Sequence, residues 1–286
     1  MLSKLIKYEF RATAKIILLS WAALFVIAVI NYFAMPWTDT GSSLGASLAL
    51  GDAIGAVKGT MQGILFFTYV LSAVAVAAMS FVLMVIRYYK LLGDEGYLMF
   101  TLPVTASQHI ISKLITSVVW NVSSLLLVGL SVFIVIGRFD VLRAIPEYWR
   151  SAVEQGLQPG LWVFCTVVFV FVYAVSGMLQ FYTAISIGSH ITRSRIGGSI
   201  IGYIIVYIGS QIINGIGALI LIMPMSSETY IYPTYISSSA GMGSTAGMVN
   251  SIVLSYFITF ILVGLAIAIP CYFISHYMIS KKLNLH

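Results

Sequence analysis

The sequence predicts an all-α integral membrane protein with six transmembrane helices. Three observations carry that prediction. Only 8% of the 286 residues are charged and 60% are hydrophobic, whereas a soluble domain carries about 25% charge. Mean hydropathy is +1.00. The apolar residues fall in six continuous runs, at about 16–35, 61–86, 114–136, 161–187, 198–223 and 251–275, each near the 20 or so residues that cross a bilayer core about 30 Å thick. Lipid offers no partner for free backbone groups, so helices or closed barrels are the available solutions. Unbroken apolar runs without period-two alternation argue against the barrel. The first run is too long for the core of a signal peptide, and no small-residue cleavage site follows it before Pro36. The whole of 1–286 thus reads as a single transmembrane domain.

Residues 1–15 precede the first run. Leu2, Leu5, Ile6 and Phe10 form an apolar stripe, with Lys4, Lys7, Arg11 and Lys15 distributed around it, as expected of a basic amphipathic helix lying in the headgroup layer or of a simple topology-anchoring flank. The connector 36–60 is rich in Gly and Ser and predicts little beyond a short helix. Between the third and fourth runs, residues 146–157 predict another short helix, with Pro146 at its first position, Glu147 at its positive end, and Tyr148, Trp149, Val153 and Leu157 on an interfacial face. The connector 224–250 holds the small-residue run Ser237–Met248, which predicts a loop.

Six spans put both termini on one side, and the charges select the side. The termini and the connectors 87–113 and 188–197 carry Lys4, Lys7, Arg11, Lys15, Arg87, Lys90, Lys113, Arg193, Arg195, Lys281 and Lys282. The other three connectors carry Lys58, Arg138, Arg143 and Arg150. Eleven basic residues against four predict that both termini are cytoplasmic. The net charge of +6 therefore reports orientation, and no nucleic-acid partner is expected. Cys165 and Cys271 both lie within apolar runs and read as small core residues.

The functional inventory is marked by what the spans lack. No Asp, Glu, Lys, Arg or His lies near the centre of a run, so the buried ionisable relay of a proton-coupled pump and the charged ring of an ion channel have no candidates. Gly55-Ala-Val-Lys-Gly-Thr60 falls short of a nucleotide-binding loop. His109, His190, His276 and His286 have no metal-ligand spacing, and no nucleophile elbow occurs. The chain is not expected to be an enzyme. The polar residues entering the spans are uncharged: Asn121, Gln180, Gln211 and Asn214. Such residues either bond across helix interfaces or line a passage. Gly198-x-x-x-Gly202 permits close helix approach within a subunit or between subunits.

The connector 87–113 is the most distinctive segment. Asp94 suits a helix cap and Glu95 the first turn; Tyr97, Leu98, Met99, Phe100 and Leu102 make an apolar cluster that Pro103 closes. A two-turn helix at 94–103 with Tyr97, Met99 and Phe100 as anchors fits a groove on a partner protein, or tucks under the bundle.

Gly93-Asp-Glu-Gly-Tyr-Leu-Met-Phe-Thr-Leu-Pro-Val104, followed by Ser112-Lys-Leu114, resembles the first intracellular loop of ABC-2 type exporter permeases of Gram-positive bacteria, and Leu5-Ile-Lys-Tyr-Glu-Phe-Arg11 is similar to their N-terminal elbow helix. The resemblance implies a multi-pass permease of the bacterial cell membrane without an ATPase of its own. It implies two cytoplasmic ABC ATPase subunits that bind ATP and Mg, a second permease copy or paralogue, and surrounding membrane lipids. It also implies a coupling helix at 94–103 whose contact residues are Asp94, Glu95, Gly96, Tyr97, Leu98, Met99, Phe100, Thr101 and Leu102. Related permeases export peptides, lantibiotics, toxins, drugs or lipids; the uncharged interior favours hydrophobic or amphipathic cargo, with Asn121, Gln180, Gln211 and Asn214 as path residues. A self-contained secondary transporter or channel, or a non-transporting scaffold or sensor, are the alternative classes.

Overall fold

A computed structural model describes residues 2–34, 49–92, 105–136, 139–191, 195–225 and 242–281. These residues form seven α-helices: α1 (Leu2–Ala34), α2 (Ala49–Leu91), α3 (Ala106–Ile136), α4 (Phe139–Glu154), α5 (Pro159–Ile191), α6 (Arg195–Met225) and α7 (Met242–Lys281). All but α4 are long and apolar enough to cross a membrane, and the chain is a multi-pass membrane protein by that measure.

Five of the six predicted spans lie within one of these helices and the first, 16–35, matches α1 up to Ala34; most of the helices run well past the span. Hydropathy marks where a helix meets lipid, whereas backbone hydrogen bonding continues through polar residues beyond it. Thus α2 already includes Lys58, Gly59 and Thr60, and α7 begins at Met242, inside the small-residue run expected to be a loop. The separate elbow helix expected at 1–15 is instead the first part of α1, which runs unbroken from Leu2 to Ala34. The short helix α4 starts earlier than expected, and Pro146 sits inside it. At an exposed position the proline forfeits one backbone bond without burying an unsatisfied group. Beyond Glu154 the helix is capped at Gly156, whose φ of 81° places it in the left-handed region. Gly156 N donates to the Val153 carbonyl at 2.9 Å and Leu157 N to the Ala152 carbonyl at 3.0 Å, the two bonds of a Schellman cap. Asn250 of α7 fastens this turn, accepting from Gln158 N at 3.1 Å and donating to the Gly156 carbonyl at 2.9 Å.

The bundle divides into α1–α2–α3 on one side and α5–α6–α7 on the other, joined through contacts of α5 with α2 and α3 and of α3 with α7. Its main core gathers Ile17, Met84, Tyr88, Ile110, Trp120, Met178, Tyr182 and Ile267; a second cluster toward the other end of α1 contains Leu24, Ala28, Tyr69, Val76 and Val135. Outside these clusters large apolar side chains are exposed all around the bundle, for example Leu19, Phe67, Phe164 and Leu219. That is the surface expected against hydrocarbon.

The α5–α6 seam explains the glycines of the fifth span. A Cβ at Gly202 would run into the Ala184 carbonyl oxygen, and one at Gly188 into the backbone of Gly198 and Ser199. Ala184-x-x-x-Gly188 therefore faces Gly198-x-x-x-Gly202, and the close approach lies within the chain. Gly209 and Gly215 have nothing within 4 Å of a Cβ position and lie on the outer face.

Candidate functional site

The chemistry-bearing residues collect at the end of the bundle where α1, α3 and α6 begin and α2, α5 and α7 end. Glu9 is one of six buried residues of α1, along with Thr13, Ile17, Leu24, Ala28 and Asn31. Their spacing is that of a single inward stripe, so the only acid of the first helix points into the bundle. Its carboxylate accepts a hydrogen bond from Lys113 Nζ on α3 at 2.7 Å through Oε1, and from Arg87 Nε on α2 at 2.8 Å through Oε2. Glu9 and Lys113 side chains are 5% and 6% exposed, and Arg87 is 25% exposed. Burial this deep is tolerated because the carboxylate is paired on both oxygens. The cluster joins the first helix to the end of α2 and the start of α3, the two helices that flank residues 93–104.

Tyr88, next to Arg87 on α2, stacks on Tyr182 of α5 with ring centroids 3.9 Å apart and planes 7° from parallel. Tyr88 Oη lies 2.8 Å from Ser186 Oγ. Thr183, on the same turn of α5, has its hydroxyl 2.8 Å from the Cys271 carbonyl and 3.0 Å from Ser275 Oγ of α7. The ion cluster, the tyrosine stack and the Thr183–Ser275 contact between them draw on α1, α2, α3, α5 and α7. The sequence reading placed Arg87 and Lys113 among the topology charges and did not single out Tyr88 or Tyr182. The available signal was Glu9 itself, an acid four residues before Thr13 and eight before Ile17 on the inward stripe.

Two apolar clefts lie beside α5. The larger, about 500 Å³, is walled by Phe81 of α2, Val122 and Leu125 of α3, and Phe169 and Tyr173 of α5. Its polar feature is Asn121, whose Oδ1 accepts from Ser80 Oγ at 3.3 Å while its Nδ2 donates to the Ser117 carbonyl at 2.8 Å. The second, about 430 Å³, lies between α2 and the α5–α6 seam and is lined by Ile86, Tyr89, Phe181, Ile200 and Tyr203 among others.

The four uncharged polar residues of the spans are not brought together. Asn121 lines the larger cleft. Gln180 is half-buried on α5, its Nε2 3.5 Å from Ser176 Oγ. Gln211 is exposed on the outer face of α6, and Asn214 is half-buried near it. The predicted coupling residues Asp94 to Leu102 lie outside the described residues. Among the described residues, no group of three or more His, Cys, Asp or Glu side chains is placed to hold a metal ion.

No family model, curated protein or solved structure matches the chain.

Proposed function

We propose that the chain is the membrane subunit of an ATP-driven exporter of the bacterial cell membrane, energised by two separate cytoplasmic ATPase subunits that bind ATP and Mg. The observation that carries this reading is the double pairing of Glu9 with Arg87 and Lys113. It ties both helices flanking the 93–104 segment to the first span, so a push on that segment is delivered to α1 as well as to α2 and α3. The sequence resemblance of 93–104 to a coupling helix supplies the partner. In this reading Tyr97, Met99 and Phe100 anchor the ATPase, Asp94 and Glu95 start the helix, and the Tyr88–Tyr182 stack passes displacement on to α5.

The cargo is hydrophobic or amphipathic, with peptides as the favoured class. Supporting this, the cleft beside Asn121 has hydrocarbon walls and one amide, and its size falls within the range that accommodates a small ligand or a side-chain cluster. Purification of the tagged chain from its native membrane tests the proposal. A soluble subunit carrying a Gly-x-x-x-x-Gly-Lys-Ser/Thr loop should co-purify, and the complex should hydrolyse ATP. A chain that transports after purification to homogeneity, with no such subunit, contradicts it.

A further inference from the structure

The first turns of α1 carry four cations that the ion cluster does not use. Lys4, Lys7, Arg11 and Lys15 are all exposed, and at spacings of three, four and four residues they share one helical face. Among the described residues none of the four makes a salt bridge or a side-chain hydrogen bond. Glu9, the only acid of α1, is buried on the opposite side.

Followed toward the C-terminus, the same face changes character between Lys15 and Leu18. Leu18, Phe25 and Phe33 continue the line and are 51%, 55% and 65% exposed. Because α1 is continuous, a face that meets hydrocarbon from Leu18 onward still looks toward lipid at Lys15 and Arg11. From Ile16 to Ala34 the helix rises about 27 Å at about 1.5 Å per residue, close to the thickness of a bilayer core. Lys15 therefore stands at the boundary of the hydrocarbon, and Arg11 about 6 Å beyond it, within a headgroup layer roughly 5–8 Å deep. Lys7 and Lys4 stand further out, with stems long enough to reach back. Tyr8, 62% exposed beside the line, has the amphipathic ring typical of this depth.

We propose that the Lys4–Lys7–Arg11–Lys15 face is a binding site for the phosphate groups of anionic phospholipids in the adjoining leaflet, with Arg11 and Lys15 as its principal contacts. The guanidinium offers a fork that matches phosphate oxygens and the ammonium a mobile point charge. The inference goes beyond the exporter reading and is independent of it.

The test uses the full chain in a neutral detergent and titrates phosphatidylglycerol against phosphatidylcholine of the same acyl chains, with bound lipid counted by native mass spectrometry. Each cation close to an anionic surface contributes about fivefold in affinity. The Arg11→Gln/Lys15→Gln variant should therefore lose about twenty-fivefold of its phosphatidylglycerol affinity and keep its weak phosphatidylcholine binding. The charge-conserving Arg11→Lys/Lys15→Arg variant should retain both, which separates lost binding from lost folding. Equal affinity of the unmodified chain for the two lipids overturns the proposal, as does unchanged phosphatidylglycerol affinity in the Gln variant. Displacement of the lipid by equimolar glycerol phosphate, or by a soluble polyglutamate, also overturns it, because the face then reads free anions or an acidic protein and not a membrane surface.

Discussion

Glu9 Oε1 lies 2.7 Å from Lys113 Nζ, although 104 residues separate them in the chain. With Arg87 on the other carboxylate oxygen, Glu9 pairs with two cations from two further helices. Removing it takes a counter-charge from both, in a region where Lys113 is 6% exposed.

Glu9→Gln should therefore lower stability by about 3 kcal/mol or more. Lys113→Met should lower it by less, because Glu9 keeps Arg87. The two substitutions together should fall well short of additive, since each removes the same pair. Thermal unfolding of the purified variants in detergent checks the order; equal effects of the two single substitutions contradict it.

The α5–α6 seam gives a second prediction with an internal control. Gly202→Ala places a methyl group against the Ala184 carbonyl oxygen, and a backbone atom of a packed helix has little room to yield. A loss of about 1–3 kcal/mol is expected. Gly209→Ala, with open space at its Cβ position, should be neutral or slightly stabilising through helix propensity. Unfolding midpoints of the two variants decide it, and equal midpoints reject the seam.

The number of spans and their order were legible in the sequence because hydrocarbon compatibility is a property of composition. Helix ends were not: nothing in Lys58-Gly-Thr60 or Ser237–Met248 distinguishes a helix emerging from lipid from a loop. Pro146 was read as a helix start because proline favours that position, yet an exposed proline is tolerated further in. Gly198 and Gly202 announced a close contact, but which partner they met needed the position of Ala184 and Gly188. The Glu9 cluster was hidden because a charge near a span end ordinarily faces water, and pairing over 104 residues has no local signature. Asn121 was selected as a polar residue in a span and lines the larger cleft, whereas Gln211 faces outward.

Orientation is tested by labelling. Both termini are proposed to be cytoplasmic on the eleven-to-four basic asymmetry. A cysteine at Ser151, exposed on α4, should react in intact cells with an impermeant thiol reagent, and one at Ser194 should not. The reverse pattern would invert the topology and remove 93–104 from the cytoplasm.

The cleft and the outer face of α6 separate two cargo routes. Asn121→Leu removes the side-chain amide that lines the larger cleft and should change cargo preference, with some loss of stability from the Ser80 and Ser117 contacts. Gln211→Leu breaks no hydrogen bond among the described residues and should fold normally. Transport altered by Gln211→Leu alone, with Asn121→Leu unaffected, would move the route from the cleft to the α6 surface.

The central claim is that residues 94–103 dock an ATPase, and one measurement addresses it directly. The chain and its Tyr97→Ala/Phe100→Ala variant are purified from native membranes under identical conditions, and the amount of associated ATPase subunit and its ATP turnover are recorded. Truncating two aromatic anchors should cost 2 kcal/mol or more of association. The variant should therefore insert normally but retain about thirtyfold less ATPase at limiting concentration. Full retention of the ATPase with full transport in the double variant, or no ATPase on the unmodified chain, contradicts the account.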